Sequence, residues 1–120
     1  MLLDTNIIIY AAQNAHPELR PFIAEHTPYA SVISYIEALG FSRLPPVERS
    51  DLEAFFDETR MLPLSQSVME EAVRLKQIRK MSLGDSVVAA TALVHGLTLV
   101  TRNIADFRWI PGLKLENPLT

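Results

Sequence analysis

The sequence predicts an α/β fold, a three-layer α/β/α sandwich around a short parallel sheet, and three observations carry that prediction. Short apolar runs bounded by turn residues alternate with helical stretches of about ten residues or more along the chain, the pattern of repeated β–α units whose strands lie parallel with helices on both faces. The segment Val87 to Val94 is apolar nearly all round and rich in alanine, which suits a helix packed on several sides. The length of 120 residues provides for one core and not two, so residues 1–120 are expected to form a single domain.

Taken in order, Met1-Leu2-Leu3 reads as a buried strand ending at Asp4, and Asn6 to Ala12 as an apolar helical stretch. Pro17 to His26 has proline in a first turn and Leu19, Phe22 and Ile23 at helical spacing, with Pro28 beyond its end. Tyr29 to Ile33 is a second strand, and Ser34 to Leu44 a helix stopped by Pro45-Pro46. Ser50 to Arg60 turns Leu52, Phe55 and Phe56 inward, and Met61 to Leu64 is the next strand. Ser67 to Met81 gives the longest helix, with Val68, Ala72, Leu75 and Ile78 on one stripe. Gly84 is expected to break the pattern before the central helix, which Gly96 caps. Leu97 to Thr101 is a strand entering a turn, and Leu113 to Leu115 a short edge strand.

Composition narrows the chemistry. Apolar residues make up 48% and charged residues 21%, without a low-complexity tract, so the chain should fold throughout. No run of about 18 apolar residues exists, and the start lacks the basic region and length of a signal peptide. A soluble, unexported protein with no membrane contact is the expectation. Cysteine is absent, which removes disulfides, thiolate zinc sites and cysteine nucleophiles and fits the cytoplasm. The net charge of −3, from 14 acids against 11 bases, argues against a general basic grip on nucleic acid. A polyanion would have to be held locally, which a bound divalent cation can do.

Ligands of parallel sheets bind beyond the carboxyl ends of the strands. Asp4, Glu37 and Asp106 all follow expected strands, and Asp85 opens the central helix, so the four acids can meet at one rim. Each has a plainer reading. Asp4-Thr5-Asn6 can cap the first helix. Ser34-x-x-Glu37 and Ser82-x-x-Asp85 match a capping box, but so do Ser50-x-x-Glu53 and Ser67-x-x-Glu70. Asp106, between Arg102 and Arg108, can be a solvated loop acid. Against these stands the setting: Glu37 is flanked by Ile33, Tyr35, Ile36, Ala38 and Leu39, and Asp85 leads into the most apolar helix, so both are expected to be partly desolvated. Crowded carboxylates cost stability unless a cation or shared protons compensate. The donors are hard oxygens, and His16, His26 and His95 do not pair at metal-ligand spacing, which favours Mg²⁺ or Mn²⁺ over Zn²⁺.

Four stretches, Leu2-Leu3-Asp4-Thr5-Asn6, Ser31 to Gly40 (SVISYIEALG), Gly84 to Leu93 (GDSVVAATAL) and Thr101 to Phe107 (TRNIADF), together resemble the PIN-domain ribonucleases, and among them the VapC-type toxins of toxin–antitoxin pairs. The resemblance spans nearly the whole chain. It implies that Asp4 and Asp85 are the principal metal ligands, with Glu37 and the closing loop completing the acidic cluster. Many relatives carry aspartate where this chain has Asn103, so Asp106 stands as the fourth acid and Asn103 as a hydrogen-bonding partner for a water or phosphate. Thr5, Asn6, Ser34 and Thr101 are implied to orient the ligands and their waters. His95, at the end of the central helix, reads as a helix-end or packing residue.

The activity implied is Mg²⁺-dependent endoribonuclease cleavage, water attacking phosphorus to leave 5′-phosphate and 3′-hydroxyl ends, with RNA as substrate and a cognate antitoxin as partner. A homodimer is implied by the family and by the apolar set Phe22, Ile23, Phe41, Leu44, Phe55 and Phe56, too large for so small a domain to bury. Among rivals, an aspartyl phosphatase needs an acid where Asn6 stands, and a phospho-accepting receiver needs a late lysine with no evident counterpart after Asp85. A catalytically inactive PIN-like fold that binds protein or RNA is the remaining alternative.

Overall fold

The computed structural model describes residues 1–13 and 15–119 and contains five parallel strands. They are β1 (Leu2–Leu3), β2 (Tyr29–Ser31), β3 (Arg60–Leu62), β4 (Leu99–Val100) and β5 (Leu115–Glu116), in the order β3-β2-β1-β4-β5. Leu2 sits in register with Tyr29 on one side and Leu99 on the other, and Leu3 with Ala30 and Val100. The helices among the described residues are α1 (Thr5–Ala12), α2 (Leu19–His26), α3 (Val32–Leu39), α4 (Pro46–Glu58), α5 (Gln66–Ile78), α6 (Leu83–His95) and α7 (Ile104–Phe107). The expected α/β/α arrangement is borne out.

Because successive strand residues point to opposite faces, the two-residue strands split the core in two. Leu2 and Leu99 pack with α5, α6 and Phe107 of α7. Leu3, Val100 and Ala30 pack with α1, α2, α3 and α4. Strands buried on both faces read as unbroken apolar runs, and Leu2, Leu3, Leu99 and Val100 are all wholly buried. The helix expected at the centre is there: Ser86 through Ala92 are buried without interruption.

Several boundaries differ from expectation. The second strand stops at Ser31, not Ile33, because the Ser31 hydroxyl accepts from the Ile33 N–H at 3.2 Å and starts α3 there. Ser34 is therefore a buried residue inside α3 and not its cap, and α3 ends at Leu39 against Gly40, short of Leu44. Pro46 opens α4 instead of only ending what precedes it, as a residue with fixed φ and no N–H can at a first helical position. Ser50 and Ser67 lie within helices, and α5 is capped by Ser65 and ends at Ile78. Gly84 does not break a helix but lies in the first turn of α6, which Ser82 caps through the Asp85 N–H at 3.1 Å. The far end closes as expected on Gly96, in the left-handed conformation at φ 65°. The closing loop contains the unforeseen α7, and β5 lies slightly later than Leu113–Leu115.

Of the six apolar residues expected to exceed the core, Phe56 is buried, Phe22, Ile23, Leu44 and Phe55 pack partly against it, and Phe41 alone is exposed. The exposed apolar surface lies elsewhere, at Tyr35, Ile36, Val47 and Leu83 among others. No helix among the described residues is long and apolar enough to cross a membrane.

Candidate functional site

The strand order reverses between β1 and β4: the chain from β1 runs outward to β2 and β3, then returns to place β4 on the other side of β1. Such a switch point opens a crevice beyond the carboxyl ends of the two strands. Asp4 follows β1 there, and Thr101 follows β4. The backbone N–H of Asp4 donates to the Val100 carbonyl at 2.9 Å, which fixes the carboxylate on the sheet itself.

Asp4 is both cap and candidate ligand. Its Oδ1 accepts from the Thr5 N–H at 2.8 Å and its Oδ2 from the Thr101 hydroxyl at 2.8 Å. The Thr101 oxygen in turn accepts from the Asn103 N–H at 3.0 Å. A second relay serves Glu37. Thr5 donates its only hydroxyl proton to Glu37 Oε1 at 2.7 Å, so the 2.8 Å contact between Thr5 and Ser34 has Ser34 as its donor. Serine, threonine and carboxylate thus form one polarised chain. Asp85 enters from the first turn of α6, where the positive helix end favours an acid.

Asp4, Glu37 and Asp85 line one pocket of about 220 Å³ with Thr5, Asn6 and Ile9. Asp106 lies outside it. It shares a second pocket of about 260 Å³ with Asp85, Arg79, Lys80, Met81, Ala105 and Trp109, so Asp85 stands at the boundary of the two. Asn103 precedes α7, exposed, and its side chain makes no capping bond there. His95 ends α6, exposed. Two larger clefts, about 570 and 380 Å³, lie between α2 and α4 and carry none of the four acids.

Electrostatics separates the acids. Burial above all, and then the charges of Asp85 and Glu37, push the Asp4 carboxyl above its usual range, while the bonds from Thr101 and Thr5 pull it back. Asp85 is also pushed up, by burial first and then by Asp106 and Glu37, against the bond from Ser82. Glu37 is exposed, contrary to the desolvation expected from its apolar neighbours in sequence. Tyr35 and Ile36 beside it are exposed as well, at 47% and 63%, so this turn of α3 faces out. None of the ion pairs among the described residues involves these four acids.

No three acidic or histidine side chains among the described residues are drawn together closely enough to form a ready-made metal cage. The donors fit a hydrated hard cation all the same, since Mg²⁺ keeps several waters and is held by one or two carboxylates. They suit Zn²⁺ less well, since zinc sites are built mainly on histidine or cysteine and neither lines the pocket.

Sequence reasoning missed Gly84 and the pocket beyond Asp85. A Cβ built on Gly84 would lie 2.3 Å from Glu37 Oε2, so the glycine is there for the room that the carboxylate occupies. Its adjacency to Asp85 was the available signal. Arg79, Lys80 and Trp109 carried none beyond being basic or aromatic near a motif.

The PIN domain family model matches residues 1–111. The chain belongs to the PIN-domain family. Within it, the chain is 31% identical to ribonuclease VapC2 of Rickettsia felis, over 97% of this chain and 96% of that one. A toxin–antitoxin complex from Klebsiella pneumoniae superimposes with a TM-score of 0.80 at 28% identity, covering 98% of this chain and 96% of its own. VapBC2 of Rickettsia felis bound to a promoter DNA fragment gives 0.79 at 26%, covering 97% and 96%. The resemblance read from the four motifs is borne out, and this PIN domain is of the VapC type.

Proposed function

We propose that this chain is the ribonuclease toxin of a toxin–antitoxin pair, an endoribonuclease that hydrolyses RNA phosphodiester bonds with Mg²⁺, for which Mn²⁺ can substitute. The observation that carries the reading is the convergence of Asp4, Glu37 and Asp85 on one pocket at the switch point, in no ion pair among the described residues and with two of the carboxyls pushed upward. The VapC relatives supply the substrate class and the toxin role.

Asp4 and Asp85 are the residues that hold the cation, whose chemistry would be to neutralise a phosphate oxygen and lower the pKa of a bound water. Thr5 and Thr101 hold the Asp4 carboxylate by one donor on each oxygen, leaving the remaining lone pairs for a ligand. Glu37, exposed and aimed by Ser34 through Thr5, takes up the proton of the attacking water and passes it to solvent. Asp106 adds negative charge on the far side of Asp85, and Asn6 and Asn103 face solvent where a phosphate or water can be met. The P–O3′ bond breaks, the leaving 3′-oxygen takes a proton from solvent, and the products carry 5′-phosphate and 3′-hydroxyl ends.

The partners follow the same reading. A cognate antitoxin blocks the acidic pocket, for which an inserted arginine is suited because its guanidinium matches carboxylates in bidentate fashion. The chain is a cytoplasmic homodimer, supported by exposed Tyr35, Ile36, Phe41 and Val47. The test is cleavage of defined RNAs by wild type and Asp4→Asn with Mg²⁺, with end-group analysis. Loss in the variant supports the enzyme; equal activity in both points to a contaminant, and none in either to an inactive fold. Light scattering and growth with and without the genomic neighbour test the dimer and the toxin role.

A further inference from the structure

We infer that the pocket on the far side of Asp85 is a nucleotide subsite, in which a base of single-stranded RNA next to the cut stacks on Trp109 and its phosphate is met by Arg79 and Lys80. The inference rests on the ribonuclease reading and adds to it which residues grip the substrate.

The segment joining α5 to α6 delivers two positive charges, Arg79 and Lys80, to a pocket that also holds Asp85 and Asp106. In a chain of net charge −3 this brings two cations level with two carboxylates beside the acidic cluster. Both side chains are exposed, and no ion pair among the described residues joins either to an acid. Two cations facing two carboxylates without pairing are available to a phosphate, which would otherwise meet only negative charge.

The segment is also held in place. Arg79 closes α5 with its N–H on the Leu75 carbonyl at 3.2 Å, and Lys76 Nζ donates to the Met81 carbonyl at 2.8 Å. Trp109 is fixed from the other side, its Nε1–H donating to the Asp106 carbonyl at 3.0 Å. The Arg79 guanidinium lies 5.5 Å from the centre of the indole. The half-buried indole and the guanidinium over it each offer a π face of the kind on which unstacked bases of RNA rest, whatever their identity. The bases of a duplex are not free to do this. A phosphate carried by the stacked nucleotide then falls within reach of the two cations, on the side of Asp85 away from Glu37.

Trp109 is the only tryptophan in the chain, so it reports directly on stacking. The full-length protein is mixed in a stopped-flow instrument with a ten-nucleotide single-stranded RNA in Mg²⁺, reading tryptophan fluorescence at once and cleavage products later from the same mixture. Expected is a rapid quench with the single strand and none with the same sequence as a duplex. Arg79→Gln and Lys80→Gln, surface changes that leave the fold alone, should each raise KM about three- to tenfold while kcat stays within about twofold. Each should also flatten the dependence of log affinity on log salt by about 0.7. Trp109→Leu should weaken binding about tenfold. Cleavage without a quench, together with unchanged KM and salt dependence in the two glutamine variants, overturns the subsite and leaves the ribonuclease standing. An equal quench by duplex overturns the stacking. A folded protein that neither binds nor cleaves RNA overturns the ribonuclease reading and the subsite with it.

Discussion

Gly84→Ala is the sharpest probe of the site, because it adds one methyl group where the Glu37 carboxylate now sits. The added carbon would lie 2.3 Å from Oε2, 3.0 Å from Cδ and 3.1 Å from Oε1. Relief needs Oε2 to retreat by about 1 Å to reach ordinary contact distance. Glu37 is exposed and flexible, so it swings outward at small cost. What it loses is the 2.7 Å bond from the Thr5 hydroxyl, worth about 1 kcal/mol at a solvent-screened position. Against this, alanine gains up to about 1 kcal/mol over glycine in a helix. The two nearly cancel, and the melting temperature should stay within about 3–6 °C of wild type.

Activity should not be spared. A misplacement of about 1 Å at a reacting centre can cost about 100-fold, so kcat/KM for a single-stranded RNA should fall by about 10- to 100-fold. Glu37→Gln measured alone and with Gly84→Ala closes a double-mutant cycle. If Gly84 acts only by leaving room for Glu37, the second substitution adds little once the first is made. Wild-type activity in Gly84→Ala would refute the argument, and so would fully additive losses.

Asp85→Asn should abolish Mg²⁺-dependent cleavage yet leave the protein in chelator as stable as wild type or more so, since one repelling charge is gone; a loss of several kcal/mol in thermal melts, above the roughly 0.5–2 expected for a cap, would give Asp85 a structural role instead. Mg²⁺ should raise the melting temperature of wild type and not of Asp4→Asn/Asp85→Asn, because a cation bound only by the folded state stabilises it; equal shifts would place the cation elsewhere. In chelator, the raised Asp4 and Asp85 carboxyls favour the fold in their protonated form, so their contribution is full below the ordinary value of 3.8 and is lost as pH rises through the folded values. The melting temperature of wild type minus that of the double variant should therefore fall as pH climbs from 3.8 and then level, and a flat difference would remove the crowding.

How much of this could be read in the sequence depended on whether the controlling partner was near in the chain. The strands were legible because parallel strands buried on both faces leave no polar alternation, as Leu2-Leu3 and Leu99-Val100 show. The central helix was legible from its alanine-rich, all-round apolar surface. The serine caps were not, since Ser-x-x-Glu occurs three times in the chain and Ser-x-x-Asp once, and only tertiary contact decides their use. Ser34 spends its hydroxyl on Thr5, 29 residues away, leaving Ser31 to cap α3. The exposure of Glu37 was not legible because apolar neighbours in sequence do not bury a helical residue: Tyr35 and Ile36 are exposed with it, and the buried Ala38 faces the core. Gly84 gave the signal of a breaker because nothing local announces the Glu37 carboxylate above it. The four residues of α7 are too few for periodicity to register.

The site's charge is arranged to be completed from outside. Every donor that fixes Asp4 is neutral: a backbone N–H and a hydroxyl. Neutral donors orient a carboxylate without cancelling its charge, so Asp4 and Asp85 stay raised, by burial first and then by the repulsion among the acids that persists in the folded chain. Arginines in the neighbourhood could have relieved it. Arg102 instead lies 5.5 Å from the centre of the Tyr10 ring, and Arg79 5.5 Å from that of Trp109. A guanidinium over an aromatic face is stabilised without being neutralised, so it keeps its charge for a phosphate. Had either formed an ion pair with the acids, both the demand for a cation and the grip on the substrate would have been spent within the chain. Holding acids by neutral donors and bases by aromatic rings leaves the two signs of charge separately available, as the proposed metal and RNA backbone would require.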